Sequence, residues 1–388
     1  MNTLLNRIPV LACTATLLAT AAVPAHAQSS VTLYGVIESA VVFQNHADPN
    51  GGHVVSMNQA GEGFLSASRF GLQGFEDLGS GMKAHFVLEN GFNSDKGTFD
   101  QQGQLFGRQA FVGLQGIWGE VDLGRQYTGA VVAISSVDPI FIGAPPTNSW
   151  LVFLTGQRYD NAITWTRKFG EFGVNLQYAF GGIAGHNSAR SSASGGLSYT
   201  HGKSVATAQV QQTRDSQSRS AKTWSLGAKV GLGAVTLHAD YLQSQRDAGF
   251  DATNGGVDSA SITNMSTPAT PTTVAAIGSV FSAARRDQFF TLAASYLPAP
   301  AWQLIGAYMY NNTTASNFGG KRQTLYGVVD YFLSKRTDLY FAAAYERVDG
   351  DWSGLFGTTT TNWTGGSGVK LNGADNQMSY YVGLRHRF

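Results

Sequence analysis

A two-residue repeat runs through almost the whole chain and leaves few folds open. Arg69–Phe75 alternates polar and apolar residues, and so do Trp224–Val230, Ala234–Tyr241 and Asp338–Glu346. In an extended strand successive side chains point to opposite faces. Val, Leu, Phe and Tyr therefore collect on one side of each segment, and Thr, His, Asp, Lys, Glu and Gly on the other. Beyond the first 27 residues there is no run of 18 apolar residues, which excludes membrane-spanning helices. A soluble all-β protein would turn the apolar faces inward. A membrane barrel turns them out to lipid and keeps a polar lumen.

The N-terminus sets the compartment. Met1–Ala27 carries one charge, Arg7, an apolar run from Ile8 to Val23, and the small-residue end Ala25-His26-Ala27. This reads as a secretory signal peptide, residues 1–27, with residues 28–388 as a single barrel unit. Val10–Cys13 has the look of a lipoprotein box, but the apolar stretch before Cys13 is too short for such a leader. Cys13 is the only cysteine, so the mature chain depends on backbone pairing and packing rather than disulfides. Loss of Arg7 leaves basic and acidic residues balanced, which disfavours a nucleic-acid partner.

Composition and punctuation favour the membrane arrangement. Glycine is abundant (47 residues), proline scarce (10), and charged residues are only 13%, about half the usual share. Aromatics gather near strand ends at Phe43, Phe92, Tyr127, Tyr159, Phe169, Trp302, Tyr310 and Tyr331, as girdles at headgroup level require. Short turns (Asp77–Gly81, Gly116–Gly119, Leu297–Ala301, Ser334–Thr337) alternate with long polar loops (Asn45–Phe64, Thr128–Gln157, Arg246–Ala284, Asp349–Asp375). About sixteen strand-like segments run from Val31 to Phe388, an even number as bacterial barrels require. The expected fold is all-β: a transmembrane antiparallel β-barrel with short periplasmic turns and long extracellular loops.

Several motifs then coincide. Val31-Thr32-Leu33-Tyr34-Gly35 is followed by the run from Ser68-Arg69-Phe70-Gly71 to Asp77-Leu78-Gly79, then by Phe106-Gly107-Arg108-Gln109-Ala110-Phe111-Val112-Gly113-Leu114 and Leu123-Gly124-Arg125-Gln126-Tyr127, and the chain ends on Phe388. Together they resemble the Gram-negative general porins of the betaproteobacterial branch, from about Val31 to the last residue. The resemblance implies sixteen strands, a homotrimer in the outer membrane, and a third loop folded into each lumen. It also implies contact with lipid and lipopolysaccharide, and a C-terminal segment read by the barrel-assembly machinery. Tyr380, Val382, Leu384 and Phe388 share the lipid-facing parity that such a signal needs, with His386 interrupting it.

The candidate site is the constriction. Arg69 and Arg158 have lumen parity, and so has Lys83. Strict alternation puts Arg125 in lipid, but a bulge at Gly124 would reverse it, and the resemblance places its counterpart in the pore. These four form the expected basic wall. The facing loop reads Asp138-Pro139-Ile140-Phe141-Ile142, with Ile140 where relatives carry an acid, so Asp138 is the loop's one anion. Ile140, Phe141 and Ile142 can equally pack on the barrel wall, and Pro145-Pro146 would stiffen the turn after them. Three arginines against one acid predict anion preference. Glu38, Glu89, Glu120 and Asp122 share lumen parity and oppose it, at heights the sequence does not fix. Arg108 has lipid parity, and the resemblance puts it at the subunit interface, with a snorkelling residue at the rim as the alternative.

Nothing suggests an enzyme, a cofactor or a metal. There is no G-x-S-x-G or H-E-x-x-H, and the pairs His85/Glu89 and His238/Asp240 read as ordinary pore wall. The leading function is passive diffusion of small ions and hydrophilic solutes. A substrate-specific channel would need an aromatic or arginine ladder along the lumen, and no such row is apparent. An adhesin or enzyme barrel would have to place its function in the long loops.

Overall fold

The computed structural model describes residues 30–47, 51–58, 63–143, 156–250, 282–351 and 374–388. The expected leader, residues 1–27, together with Pro145-Pro146 and most of the loops 246–284 and 349–375, lies outside the described residues. The first half of the chain forms β1 (Ser30–Gln44), β2 (Val54–Met57), β3 (Arg69–Gly79), β4 (Met82–Asn93), β5 (Thr98–Phe99), β6 (Gln109–Gly116), β7 (Gly119–Tyr127) and, after a short helix α1 (Gly129–Ser135), β8 (Arg158–Phe169) and β9 (Phe172–Ala179). The second half adds β10 (Ser192–His201), β11 (Ser204–Arg214), β12 (Ser220–Leu232), β13 (Val235–Arg246), β14 (Arg285–Ala299), β15 (Trp302–Ala315), β16 (Gly319–Phe332), β17 (Thr337–Gly350) and β18 (Asn376–Arg387). Sixteen of these are staves of one closed antiparallel barrel. The other two, β2 and β5, are short ribbons in loops, on β1 and β4 respectively.

The first strand closes the sheet. Ser30–Val36 pairs with β3, and Val36–Gln44 pairs with β18. At the changeover Gly35 and the terminal residue exchange two backbone hydrogen bonds, Gly35 N to Phe388 O and Phe388 N to Gly35 O, both 3.0 Å. The Phe388 ring lies over Gly35, where any Cβ would strike it.

Alternation sorts the faces as the sequence requires. Val31, Leu33, Ile37 and Val41 are exposed on the outside of β1, while Val36, Glu38, Ala40 and Val42 are buried inside. Tyr380, Val382, Leu384 and Phe388 are likewise exposed, and Tyr381 and Arg385 turn inward. Paired outer rings, such as Trp302 with Tyr331 at 4.6 Å, stand at the short-turn end.

One expectation needs correcting: the lumen is not polar throughout. Leu242, Phe289, Ile305, Met309, Tyr326 and Val328 face inward from β13–β16 and are almost wholly buried. They are covered from inside the barrel by Phe64, Leu65 and residues of the third loop, which join them in one apolar cluster. Phe64 packs its ring 4.9 Å from Tyr381 and 5.5 Å from Tyr326. The end of the first long loop is therefore inside the barrel, not outside it.

Closure at Gly35 generates a prediction. Gly35→Ala puts a methyl against the Phe388 ring and the Arg69 carbonyl, overpacking that costs about 1–3 kcal/mol. Urea unfolding of the refolded barrel in detergent should show that loss, and an unchanged midpoint would contradict it.

Candidate functional site: the pore constriction

The third loop starts as a capped helix. Thr128 closes β7, and its hydroxyl accepts from Val131 N at 3.3 Å, satisfying one of the helix's free amides. Helix α1 lies on the inner wall of β10–β12 with Ala130, Val131 and Ile134 buried. Beyond it, His238 of β13 donates Nδ1–H to Val137 O at 2.6 Å and accepts from the Ser295 hydroxyl at 3.1 Å. His238 thus pins the loop to the wall.

The turn at the loop tip is held by one carboxylate. Asp138 Oδ1 accepts from Ile140 N and Ile142 N, each at 2.9 Å, and the residue is 3% exposed. Burial pushes its carboxyl up to about 6, against the pull of those two amides. Asp138 is therefore not an acidic wall facing the lumen, as the sequence suggested; its charge is spent on its own backbone. Phe141 and Ile142 take left-handed conformations (φ 54° and 63°) in this turn. Ile140 and Ile142 are buried in the apolar cluster, while Phe141 is 73% exposed and lines the cavity. Gly143 meets the backbone of Leu65, so the tip spans from the β10–β13 wall to the inturned first loop.

The cavity left beside the tip is about 620 Å³, and among the described residues arginines outnumber carboxylates in its lining. Arg69 Nε stands 3.7 Å from Glu89 Oε2, and Arg108 Nε donates to Glu89 Oε1 at 2.8 Å. Tyr34 donates to the same carboxylate at 3.0 Å. Arg108 Nη2 donates to the Tyr127 hydroxyl at 2.7 Å, and Arg158 lies over the Tyr127 ring, 4.8 Å from its centre. Arginine, carboxylate and tyrosine thus form a rung around β3, β4, β6, β7 and β8. The rung runs around the wall, not along the axis.

Several sequence assignments change. Arg108 is not on the outer surface: both it and Gln109 line the cavity. Gln109 is the register partner of Glu89, while Arg108 N also donates to Glu89 O. Two residues oppose one, a bulge that breaks the alternation from which the lipid parity of Arg108 was read. Arg125 does not line the cavity. It stands opposite Ala110, donates Nε to Gly107 O at 2.7 Å and ion-pairs with Asp160. The irregularity expected at Gly124 exists, with φ 139° and a register slip before Gln126, yet it is Tyr127 that reaches the cavity. Arg158 is 1% exposed, behind Tyr127. Lys83 has lumen parity but sits near the short turn, paired with Asp77 and Gln115, away from the constriction.

The acids separate as well. Glu89 belongs to the rung. Glu38 is fully buried, accepting from Leu65 N at 2.8 Å and the Tyr340 hydroxyl at 2.6 Å, and so holds the inturned loop. Glu120 and Asp122 lie at the short-turn end beside His85.

A second basic group was missed from sequence. Arg385 and Arg387 line the cavity from β18, with Asp330 of β16. Arg385 Nε is 3.0 Å from Asp338 Oδ2, its Nη2 is 3.4 Å from Asp330 Oδ2, and Arg387 Nη2 is 3.4 Å from Asp338 Oδ2. Their parity, opposite to Val382 and Leu384, was the available signal.

Comparison with known proteins agrees with this architecture. The family model for Gram-negative porins matches residues 14–351. An outer membrane porin of Bordetella pertussis is 38% identical over 43% of the chain, a match spanning 46% of that relative. An outer membrane porin of Delftia acidovorans is 28% identical over 94% of the chain and 95% of its own length. Among solved structures, an anion-selective porin from Comamonas acidovorans superposes with a TM-score of 0.71 at 23% identity, covering 93% of this chain and all of that one.

The turn at Asp138 makes a testable case. Its carboxyl ionises at about 6 in the fold, above the value of 3.8 for a free aspartate, so the charged form destabilises the fold. The penalty is absent below pH 4 and complete above pH 6, and stability should fall by about 2–3 kcal/mol as pH rises across that window. Asp138→Asn, which keeps the accepting oxygen, should flatten the fall. Urea midpoints measured across the window check this; parallel profiles for the two proteins would refute it.

Proposed function

Because the chain belongs to the Gram-negative porin family, we propose that it forms a water-filled, anion-preferring channel for passive diffusion of small hydrophilic solutes. It is an integral β-barrel of the outer membrane. An outer membrane protein of Vibrio cholerae with the same fold is known in a trimer form, and a homotrimer is the proposed assembly of this chain. Lipid and lipopolysaccharide would meet the outer apolar face. The exposed outer row Tyr380, Val382, Leu384 and Phe388 would be the strand that assembly machinery grips.

One observation carries the anion preference: at the constriction the cations are the accessible charges. Among the described residues the cavity is lined by four guanidiniums, Arg69, Arg108, Arg385 and Arg387, against two carboxylates, Glu89 and Asp330. The Arg69 and Arg387 side chains are 29% and 37% exposed, while Glu89 and Asp330 are 6% and 2% exposed. The carboxylates lie beneath the arginines, and a hydrated solute meets the guanidiniums first. In a narrow, low-dielectric opening this favours anions and repels cations. The exposed Phe141 narrows the same opening, which suits ions better than sugars.

Reversal potential across a planar bilayer under a KCl gradient tests the reading. The expected potential is chloride-directed. It should shrink several-fold in permeability ratio in Arg69→Gln/Arg387→Gln and grow in Glu89→Gln. A potassium-directed potential in the unmodified protein would overturn the preference.

A further inference from the structure

Three neighbouring strands bring a histidine and two carboxylates together at the short-turn end, apart from the constriction. In the register His85 of β4 stands opposite Gly113 of β6, and Gly113 stands opposite Asp122 of β7. Two residues along β7, Glu120 faces Gln115, on the same lumen side. A side chain at position 113 would stand between the flanking strands. Gly113 has none, and a Cβ built there would strike Asp122 Oδ1 and come within 2.6 Å of His85 Nε2. The two groups therefore meet over the glycine: His85 Nε2 donates to Asp122 Oδ1 at 2.8 Å, and Glu120 Oε1 is 3.7 Å from the same nitrogen.

The arrangement is fixed on one side and open on the other. The His85 ring is nearly parallel to Phe75 at 5.9 Å and edge-on to Phe111 at 6.1 Å, which aims Nε2 at the carboxylates. His85 and Asp122 are buried, whereas the Glu120 side chain is 37% exposed. One ligand atom from each of the three residues falls within 4.8 Å of the others.

We propose that His85, Glu120 and Asp122 bind a divalent transition-metal cation of borderline softness, for which zinc is the probe. Metal bonds of about 2.0–2.2 Å to nitrogen and oxygen need donor atoms spaced close to those found here, so small rotations of Glu120 and Asp122 complete the set. Two carboxylates balance a divalent charge. An imidazole nitrogen selects zinc and its neighbours over calcium and magnesium, which prefer all-oxygen shells. Three protein ligands leave a coordination position for water from the lumen. Cations flank the acids on both sides: Lys83 of β4 stands opposite Gln115, and Arg167 and Lys168 of β8 share a small pocket with Glu120.

Binding has a consequence for the channel that rests on the porin reading above. A bound cation neutralises the acidic pair in the vestibule, so zinc should move the reversal potential further toward chloride. The binding claim does not depend on that reading.

Titration calorimetry of tag-free protein in detergent, with zinc chloride at neutral pH, tests the site. One strong site per chain is expected, weakened at least tenfold in His85→Gln and in Gly113→Ala, and not displaced by excess calcium. Equal zinc affinity in these variants, or calcium binding as tightly as zinc, would overturn the proposal. Folding is checked by the heat-induced mobility shift, and if His85→Gln fails it, Glu120→Gln, at a partly exposed position, carries the same test. Zinc binding without any shift of reversal potential would count against the electrostatic account of the pore and not against the site.

Discussion

A bilayer core offers a peptide group nothing to bond to, so a spanning sheet must leave no edge. In this chain that demand is met by one junction. β1 is shared between two partners, β3 below Val36 and β18 above it, and the two bonds between Gly35 and Phe388 tie the last residue to the first stave. Alternation is a consequence of closure. Once the sheet is a ring, every strand has one face on lipid and one on the lumen, and a single slip of register would exchange them.

That is why so much of the fold was legible. Parity is a local property, and Val31, Leu33, Val382 and Leu384 reveal the outer face without knowledge of their neighbours. Parity also fails locally. At Glu89 two residues oppose one, and Arg108 swings into the lumen where counting from Ala110, Val112 and Leu114 puts it outside. Arg125 is the converse: a bulge was anticipated at the right glycine, but pairing across the strands, not spacing along one, decides which residue it turns. Arg385 and Arg387 were readable by the same alternation, once the inner face of β18 is considered alongside the outer.

The interior depends on tertiary contacts that no periodicity encodes. The sequence of the third loop counts one acid, and only the structure tells that Asp138 is occupied by Ile140 N and Ile142 N. Phe64 reads as the end of a long polar loop, yet Tyr340 takes up its amide and Glu38 that of Leu65, and the two residues are drawn inside. Those contacts create the platform on which Gly143 and the loop tip rest. The inward apolar residues of β13–β16 follow from the same cause, since they face packed protein where a plain pore would face water.

Crowding arginines into a constriction raises its own difficulty. Two unit charges 4 Å apart at an effective dielectric of 20 repel by about 4 kcal/mol, so Arg69 and Arg108 can share the wall only with Glu89 between them. The same holds for Arg385 and Arg387 over Asp338 and Asp330. Each counterion cancels charge, and the field survives because the carboxylates are underneath and the guanidiniums are in front. The acids at the short-turn end do not undo this. Glu89 is four residues along β4 from His85, about 13 Å along the strand and still no less than about one Debye length along the tilted axis at physiological salt. A solute at the waist therefore responds to the arginines, and one at the mouth to Glu120 and Asp122, so the two ends of the passage act on it in turn.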